Sequence, residues 1–306
     1  MRENMKIFTY KRKGIKGRLS TRVVTGIIYS FCGLCALITL LPFLYIVAGS
    51  FATEKELIER AFFLIPSQIS WNAYHYIIKT GAIILGIKNS LYLTTVGTIM
   101  NMILMTLFAY PLSRRGFRGK NLILNMVILT MLLPVGMIPM FMLIRGIGWY
   151  DSYLALTIPG AINAFNMIII KKFFQGLSLE LEDAARIDGA SDWKIFRKVA
   201  LPLSKPVLAS ITLFTAVGYW NNYFGPMIYL NSQKKYTAQL FLRQIVMTSQ
   251  GISKDGSLID WGDFGAPPTV AIRMAATVIT TVPILMVYPF VQKHFAKGVM
   301  VGSVKG

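Results

Sequence analysis

The sequence predicts an all-α polytopic membrane protein with six transmembrane helices and a cytoplasmic helix–turn–helix between the fourth and the fifth. Three observations carry this reading. Of the 306 residues, 54% are hydrophobic and only 15% are charged, against about 25% charged in ordinary soluble domains. Uncharged runs of about 20 residues recur, long enough for a helix to cross a hydrocarbon core of about 30 Å. Between two such runs, "LEDAARIDGASDWKIFRKVALPLSKP" is instead dense in charge and patterned as two short helices. A closed β-barrel would read as alternating segments of about ten residues, and the chain has no such pattern.

A basic tail, 1–22, precedes the first span at 23–49. That run is longer than the roughly 7–15 apolar residues of a cleaved signal peptide, so it reads as a retained signal anchor. Cys32 and Cys35 form a CxxC spacing inside it. At that depth they read as small packing residues, not as a redox or metal pair. An external segment, 50–87, follows. The remaining spans, 89–112, 122–144, 153–174, 207–230 and 269–291, fall within 88–293. That region also holds the charged loop, 175–206, and a second external loop, 231–268. A short tail, 294–306, closes the chain. Both external segments read either as plain loops or as a docking surface for an external partner. Prolines such as Pro134, Pro159, Pro226 and Pro283 lie near or within the spans, where neighbouring groups can re-satisfy the freed carbonyls. Apart from Lys171 and Lys172 at the end of the fourth, Arg273 is the one charge within a span, near its end, and reads as snorkelling to the interface or facing a pathway.

The formal charge of +19 raises nucleic acid as a partner, but its distribution gives another reason. With the N-terminus in the cytoplasm, roughly two-thirds of the Lys and Arg residues fall on the cytoplasmic side, as the positive-inside rule requires. The excess is a topology signal and an attraction to anionic lipid. His75 and His294 are far apart in sequence and no HExxH is present, so metal catalysis has no motif to rest on.

In the charged loop, Ser178 is placed to cap a first helix whose first turn holds Glu180 and Glu182, where the helix dipole favours acids. Gly189 can take the left-handed conformation that ends it. Ser191 is placed to cap a second helix, with Pro202 as its stop and Pro206 opening the fifth span. Leu181, Ala184 and Ala185 share one face by helical spacing, as do Trp193, Phe196, Val199 and Ala200. Such a hairpin can lie on its own bundle or in the membrane interface, or it can dock a cytoplasmic protein. The residues alone leave both open.

The spacing resembles the EAA loop of permease subunits of binding-protein-dependent ABC importers. Asp183-Ala184-Ala185 is followed by Asp188-Gly189-Ala190, then Phe196, then Leu201-Pro202. Asp183 stands where that family usually has Glu. "KNSLYLTT", "FAYPLSRR" and "LPLSKP" resemble the maltose-type, carbohydrate-uptake branch. "WNNYFGPMIYLNSQKKYTAQLFLRQIV" and "YPFVQKHFAKGVMVGSVKG" are similar to its polysaccharide and oligosaccharide subgroup.

The resemblance implies that 88–293 is a permease core and that the chain is a multi-pass cell-membrane protein with both termini cytoplasmic. It implies a second permease chain of similar fold, two ATPase subunits and an extracytoplasmic solute-binding protein. Asp183, Ala184, Ala185, Asp188, Gly189 and Ala190 would form the turn that docks the ATPase. Phe196, Leu201 and Pro202 would lock that turn to the fifth span. No GxxxxGK[ST] loop is present, so this chain itself binds no cofactor by that motif, and ATP and Mg belong to the ATPase partners.

For the cargo, Tyr219, Trp220, Asn221, Asn222 and Tyr223 combine aromatic faces with amides, as a sugar pathway needs. The same residues could instead form an interfacial aromatic belt and a helix-packing amide pair. The alternative cargo on this scaffold is an amino acid, a polyamine or a phosphonate. A secondary transporter or intramembrane enzyme would call for buried acids in the spans, and the six spans contain none.

Overall fold

A computed structural model describes residues 19–114, 116–133, 135–248 and 269–302, with the side chains of 19–22, 248 and 288–302 left out. The tail at 1–18 and the loop portion at 249–268 lie outside the described residues. Among the described residues every regular element is helical.

Helix α1, Leu19–Ser50, is exposed along most of its length, Cys32 and Cys35 included. Only its end, from Ala48 to Ser50, is buried. Helices α2, Glu54–Glu59, and α3, Asn72–Thr80, follow. The long helix α4, Ala82–Ser113, is the frame of the bundle. Ile83, Gly86, Ser90, Leu93, Gly97, Asn101, Met105, Ala109 and Leu112 are buried along it, a spacing of three and four that puts them on one face. Next come α5, Lys120–Leu132, α6, Met137–Gly146, α7, Leu154–Thr157, and α8, Ala164–Gln175. The charged loop forms α9, Leu179–Ile187, α10, Asp192–Ile195, and α11, Leu201–Leu203, joined through a π-helical turn at Phe196–Ala200. The chain ends with α12, Lys205–Asn221, α13, Phe224–Tyr229, α14, Ala238–Thr248, and α15, Val270–Gly302.

Helix α4 packs against α12, α8 and α14, and α15 packs against α1, α12 and α14. Two apolar cores result. One joins the first half of α4 to α3, α14 and α15 through Ile83, Leu93, Leu240, Phe241, Ile272 and Ala276. The other joins its second half to α8 and the hairpin through Met105, Tyr110, Met167, Phe174 and Phe196.

Three helices are long and apolar enough to cross a membrane singly, within α1, α4 and α15, and two bent pairs raise the number to five. Six uninterrupted spans are therefore not what the described residues contain. The expected third span is divided into α5 and α6. The expected fourth breaks between α7 and α8, where Pro159 and Gly160 sit. The fifth is bent by 78° from the hairpin at Ser204 and ends at Asn221 before restarting as α13. Proline removes a helical hydrogen-bond donor and crowds the carbonyl four residues back, so breaks at these places follow from the sequence.

The described residues of 50–87 and 231–248 are more ordered than plain loops. In 50–87, the buried Glu56 carboxylate accepts from the Ser67 amide at 2.8 and 3.0 Å, the Ser67 hydroxyl at 2.9 Å and Arg60 Nη1 at 2.6 Å. The Ser67 amide bond is the chief reason its pKa lies below the ordinary glutamate value. In 231–268, α14 is a core helix, with Leu240, Phe241 and Ile245 buried.

Asp151 straps the turn before α7 to the segment that precedes α14. Its carboxylate accepts from the amides of Asn231 and Ser232 at 2.9 and 3.0 Å, from the Ser232 hydroxyl at 2.6 Å, and from Lys235 Nζ at 3.0 Å. Desolvation pushes this carboxyl up, but the Ser232, Asn231 and Lys235 hydrogen bonds outweigh it and hold its pKa well below the ordinary range. A depressed carboxylate contributes stability above its unfolded pKa and loses it as pH falls through the folded one. We expect Asp151→Asn to lower the midpoint of thermal unfolding in detergent at pH 7. The gap should close as pH drops below the ordinary carboxylate range, and an equal gap at all pH values would count against the strap.

Candidate functional site

The hairpin is closed by backbone geometry that its sequence demands. Gly189 has φ +73°, a region that glycine enters without steric cost. The Ala190 amide donates to Ala185 O at 2.9 Å and the Gly189 amide to Arg186 O at 3.0 Å. This pair of bonds is the Schellman motif and satisfies two of the carbonyls left over at the end of α9. Ser191 caps α10, accepting from the Lys194 amide at 3.4 Å. Arg186 reaches Asp192 at 3.1 Å and ties the two helices together. Ser178 occupies the N-cap position of α9, but its side chain makes no capping bond.

The first turn of α9 does something else. Glu182 is 4% exposed and forms an ion pair with Arg114, at the end of α4. Arg114 also lies 4.4 Å over the Tyr110 ring and donates to Phe174 O at 3.4 Å. Tyr110 in turn sits 4.7 Å from Phe196 and 5.6 Å from Phe174, ring centre to ring centre. Phe196 is therefore a buried anchor holding the hairpin to α4 and α8, in a core that also takes in Val207, Leu208 and Ile211 of α12. The helix does not stop at Pro202. It continues through Leu203, and Pro206 lies in the first turn of α12. Pro202 has no N–H to donate, and the turn ahead of it is widened, with the Leu201 amide on Phe196 O.

The outward side has a different character. Asp183, Ala184, Asp188 and Gly189 are exposed, Ala185 and Ala190 are half-buried, and Leu201 is half-buried beside an exposed Pro202. Leu181 and Ala184 share their face with Ile187, which is 87% exposed, and Trp193 is 60% exposed. The helical spacing grouped Leu181 with Ala185, but burial of Glu182 turns Ala185 partly inward. Between hairpin and bundle lies a cleft of about 880 Å³, lined by Tyr110, Arg114, Lys120, Glu182, Asp192 and Trp193 among others.

The five candidate cargo residues divide. Tyr219 lies over Gly97 of α4 and shares a short hydrogen bond with Asn101. Trp220 is buried, its Nε1 donating to Thr280 O at 3.2 Å. Asn222 accepts from the Gly225 amide at 3.0 Å and shapes the α12–α13 break. These three hold helices in place. Asn221 and Tyr223 are exposed. Arg243 of α14, which sequence reasoning missed, lies with its guanidinium 5.8 Å from the Tyr223 ring centre.

Known proteins resemble this chain in sequence and in fold. Residues 102–301 match the family described as the binding-protein-dependent transport system inner membrane component. The chain is 46% identical over 94% of its length to the polygalacturonan/rhamnogalacturonan transport system permease protein YtcP of Bacillus subtilis (strain 168), covering 100% of that protein. It is 48% identical to Protein LplC of the same organism over 90% of this chain and 92% of that one. Among solved structures, it superposes with a TM-score of 0.82 on a chain of a bacterial ABC transporter involved in the import of the acidic polysaccharide alginate. That match has 31% identity and covers 91% of this chain and 99% of the other. The chain belongs to the family of inner-membrane components of binding-protein-dependent transport systems.

Proposed function

We propose that this chain is one of two membrane-spanning permease subunits of an ATP-driven importer for oligosaccharides delivered by an external binding protein. The observation that carries the reading is the turn Asp183-Ala184-Ala185…Asp188-Gly189-Ala190, exposed at Asp183, Ala184, Asp188 and Gly189, on a hairpin anchored to α4 by a buried ion pair. Its outward Leu181, Ala184, Ile187 and Trp193 offer apolar contact to a cytoplasmic ATPase, and the acids around them offer charge. The chain has no phosphate-binding loop, so ATP and Mg are assigned to two ATPase subunits. Both termini are assigned to the cytoplasm from the distribution of basic residues. The polygalacturonan relative and the alginate transporter chain favour a sugar cargo over an amino acid, polyamine or phosphonate.

In this mechanism closure of the ATPase pair moves the hairpin, and α4 and α8 follow because Phe196 and the Glu182–Arg114 pair fix it to them. Such rigid-body rocking around a central site is the common logic of transporters. Of the five pathway candidates, Asn221 and Tyr223 are the ones assigned to cargo, with Tyr219, Trp220 and Asn222 as their scaffold.

The test is Gly189→Val. No atom crowds the site, so the penalty is the left-handed backbone alone, about 1–3 kcal/mol. Sugar uptake in liposomes carrying the assembled complex is expected to fall at least tenfold, with membrane insertion unchanged. Full uptake with normal ATPase association would count against the docking role.

A further inference from the structure

Arg243 is the cation to explain on the external side of the bundle. It is half-buried on α14, between a core helix face and the exposed Tyr223. Among the described residues it forms no ion pair. Two cations nearby differ in this respect: Lys235 is held by Asp151 and Arg60 by Glu56. Arg273 on α15, the helix packed against α14, also forms no ion pair among the described residues. Its buried Nε has no hydrogen-bond partner.

A guanidinium that is neither solvated freely nor neutralised internally is costly to hold unless something external compensates it. The Arg243 guanidinium lies over the Tyr223 ring at cation–π distance. Its N–H groups have no carboxylate partner among the described residues, and their planar fork matches one. Tyr223 and its neighbour Phe224 are 45% and 50% exposed, and such aromatic faces stack on the apolar faces of sugar rings. The exposed amide of Asn221 adds a hydroxyl-binding group. A ligand offering both a carboxylate and a pyranose face is a uronate.

We propose that Arg243, positioned by Tyr223, recognises the carboxylate of a uronic-acid residue, so that the permease itself selects acidic over neutral oligosaccharides. This rests on the importer reading above and adds to it a charge filter in this chain. The binding protein outside need not be the sole source of selectivity.

The experiment uses the full complex in liposomes with its binding protein. It compares uptake of trigalacturonate with uptake of the same trisaccharide after reduction of its carboxyl groups. Because the binding protein is the same throughout, its own preference cancels between wild type and variant. Arg243→Gln in the assembled complex is expected to lower the acidic-to-neutral uptake ratio about 10- to 100-fold, the loss expected for one charge-assisted hydrogen-bonded pair. Arg243→Lys keeps the charge without the fork and is expected to retain an intermediate ratio. An unchanged ratio in both variants, with normal wild-type uptake, would overturn the charge filter and leave the importer reading intact. No wild-type uptake of either sugar would overturn both.

Discussion

Glu182→Ala is expected to be among the most damaging single changes in this protein, costing about 3 kcal/mol, the lower end of the range for breaking a buried ion pair. The acid is 4% exposed, and the Arg114 side chain is 17% exposed. Removing the acid leaves a cation that water reaches poorly. The lower end applies because Arg114 keeps the Tyr110 ring and the Phe174 carbonyl. Thermal unfolding of the purified chain in detergent measures the loss, and a loss below about 1 kcal/mol would show that the pair is solvated in practice. Glu182→Leu with Arg114→Met is expected to recover most of the stability, since an apolar pair of similar volume often replaces a buried ion pair without cost. The rescued protein separates fold from function. If the pair also transmits hairpin motion to α4, the stable double variant should still show reduced sugar uptake per ATP hydrolysed.

That anchor shows where sequence reading stopped. The hairpin was legible because its signals are local: Gly189, Ser191 and the acids of the first turn lie within a few residues of the groups they serve. Glu182 and Arg114 are 68 residues apart, and each alone reads as an ordinary helix-end charge. Burial of Glu182 decides which way α9 faces, and so turns Ala185 inward and Ile187 out. Spans four and five misled for a related reason. Hydropathy sums over a window and does not register a break of a few residues, although Pro159, Gly160 and Pro226 mark the places. The aromatic and amide cluster at 219–223 stands out by composition, but composition does not divide it. Trp220 and Asn222 have their bonds to Thr280 and Gly225, while Tyr223 faces outward under an arginine from another helix.

Tyr219 leads to the second large effect, through a glycine on the opposite helix. A Cβ added at Gly97 would lie 2.6, 2.8 and 2.9 Å from carbon atoms of the Tyr219 ring, closer than any carbon contact allows. The ring cannot easily swing aside, because its hydroxyl is tied to Asn101, whose amide also donates to Gly97 O at 3.0 Å. Two terms of opposite sign compete in Gly97→Ala. Alanine favours the helix by up to about 1 kcal/mol, while overpacking a close interface costs about 1–3 kcal/mol. With the ring held at both ends, overpacking is expected to win and α4 to be forced away from α12, lowering the unfolding midpoint in detergent. The sign of the change can be reversed by design. In a Tyr219→Leu background the obstructing ring is gone, so the same Gly97→Ala step should be neutral or stabilising, the helix term then acting alone. A destabilisation of equal size in both backgrounds would mean that Gly97 is required by α4 itself and not by its contact with Tyr219.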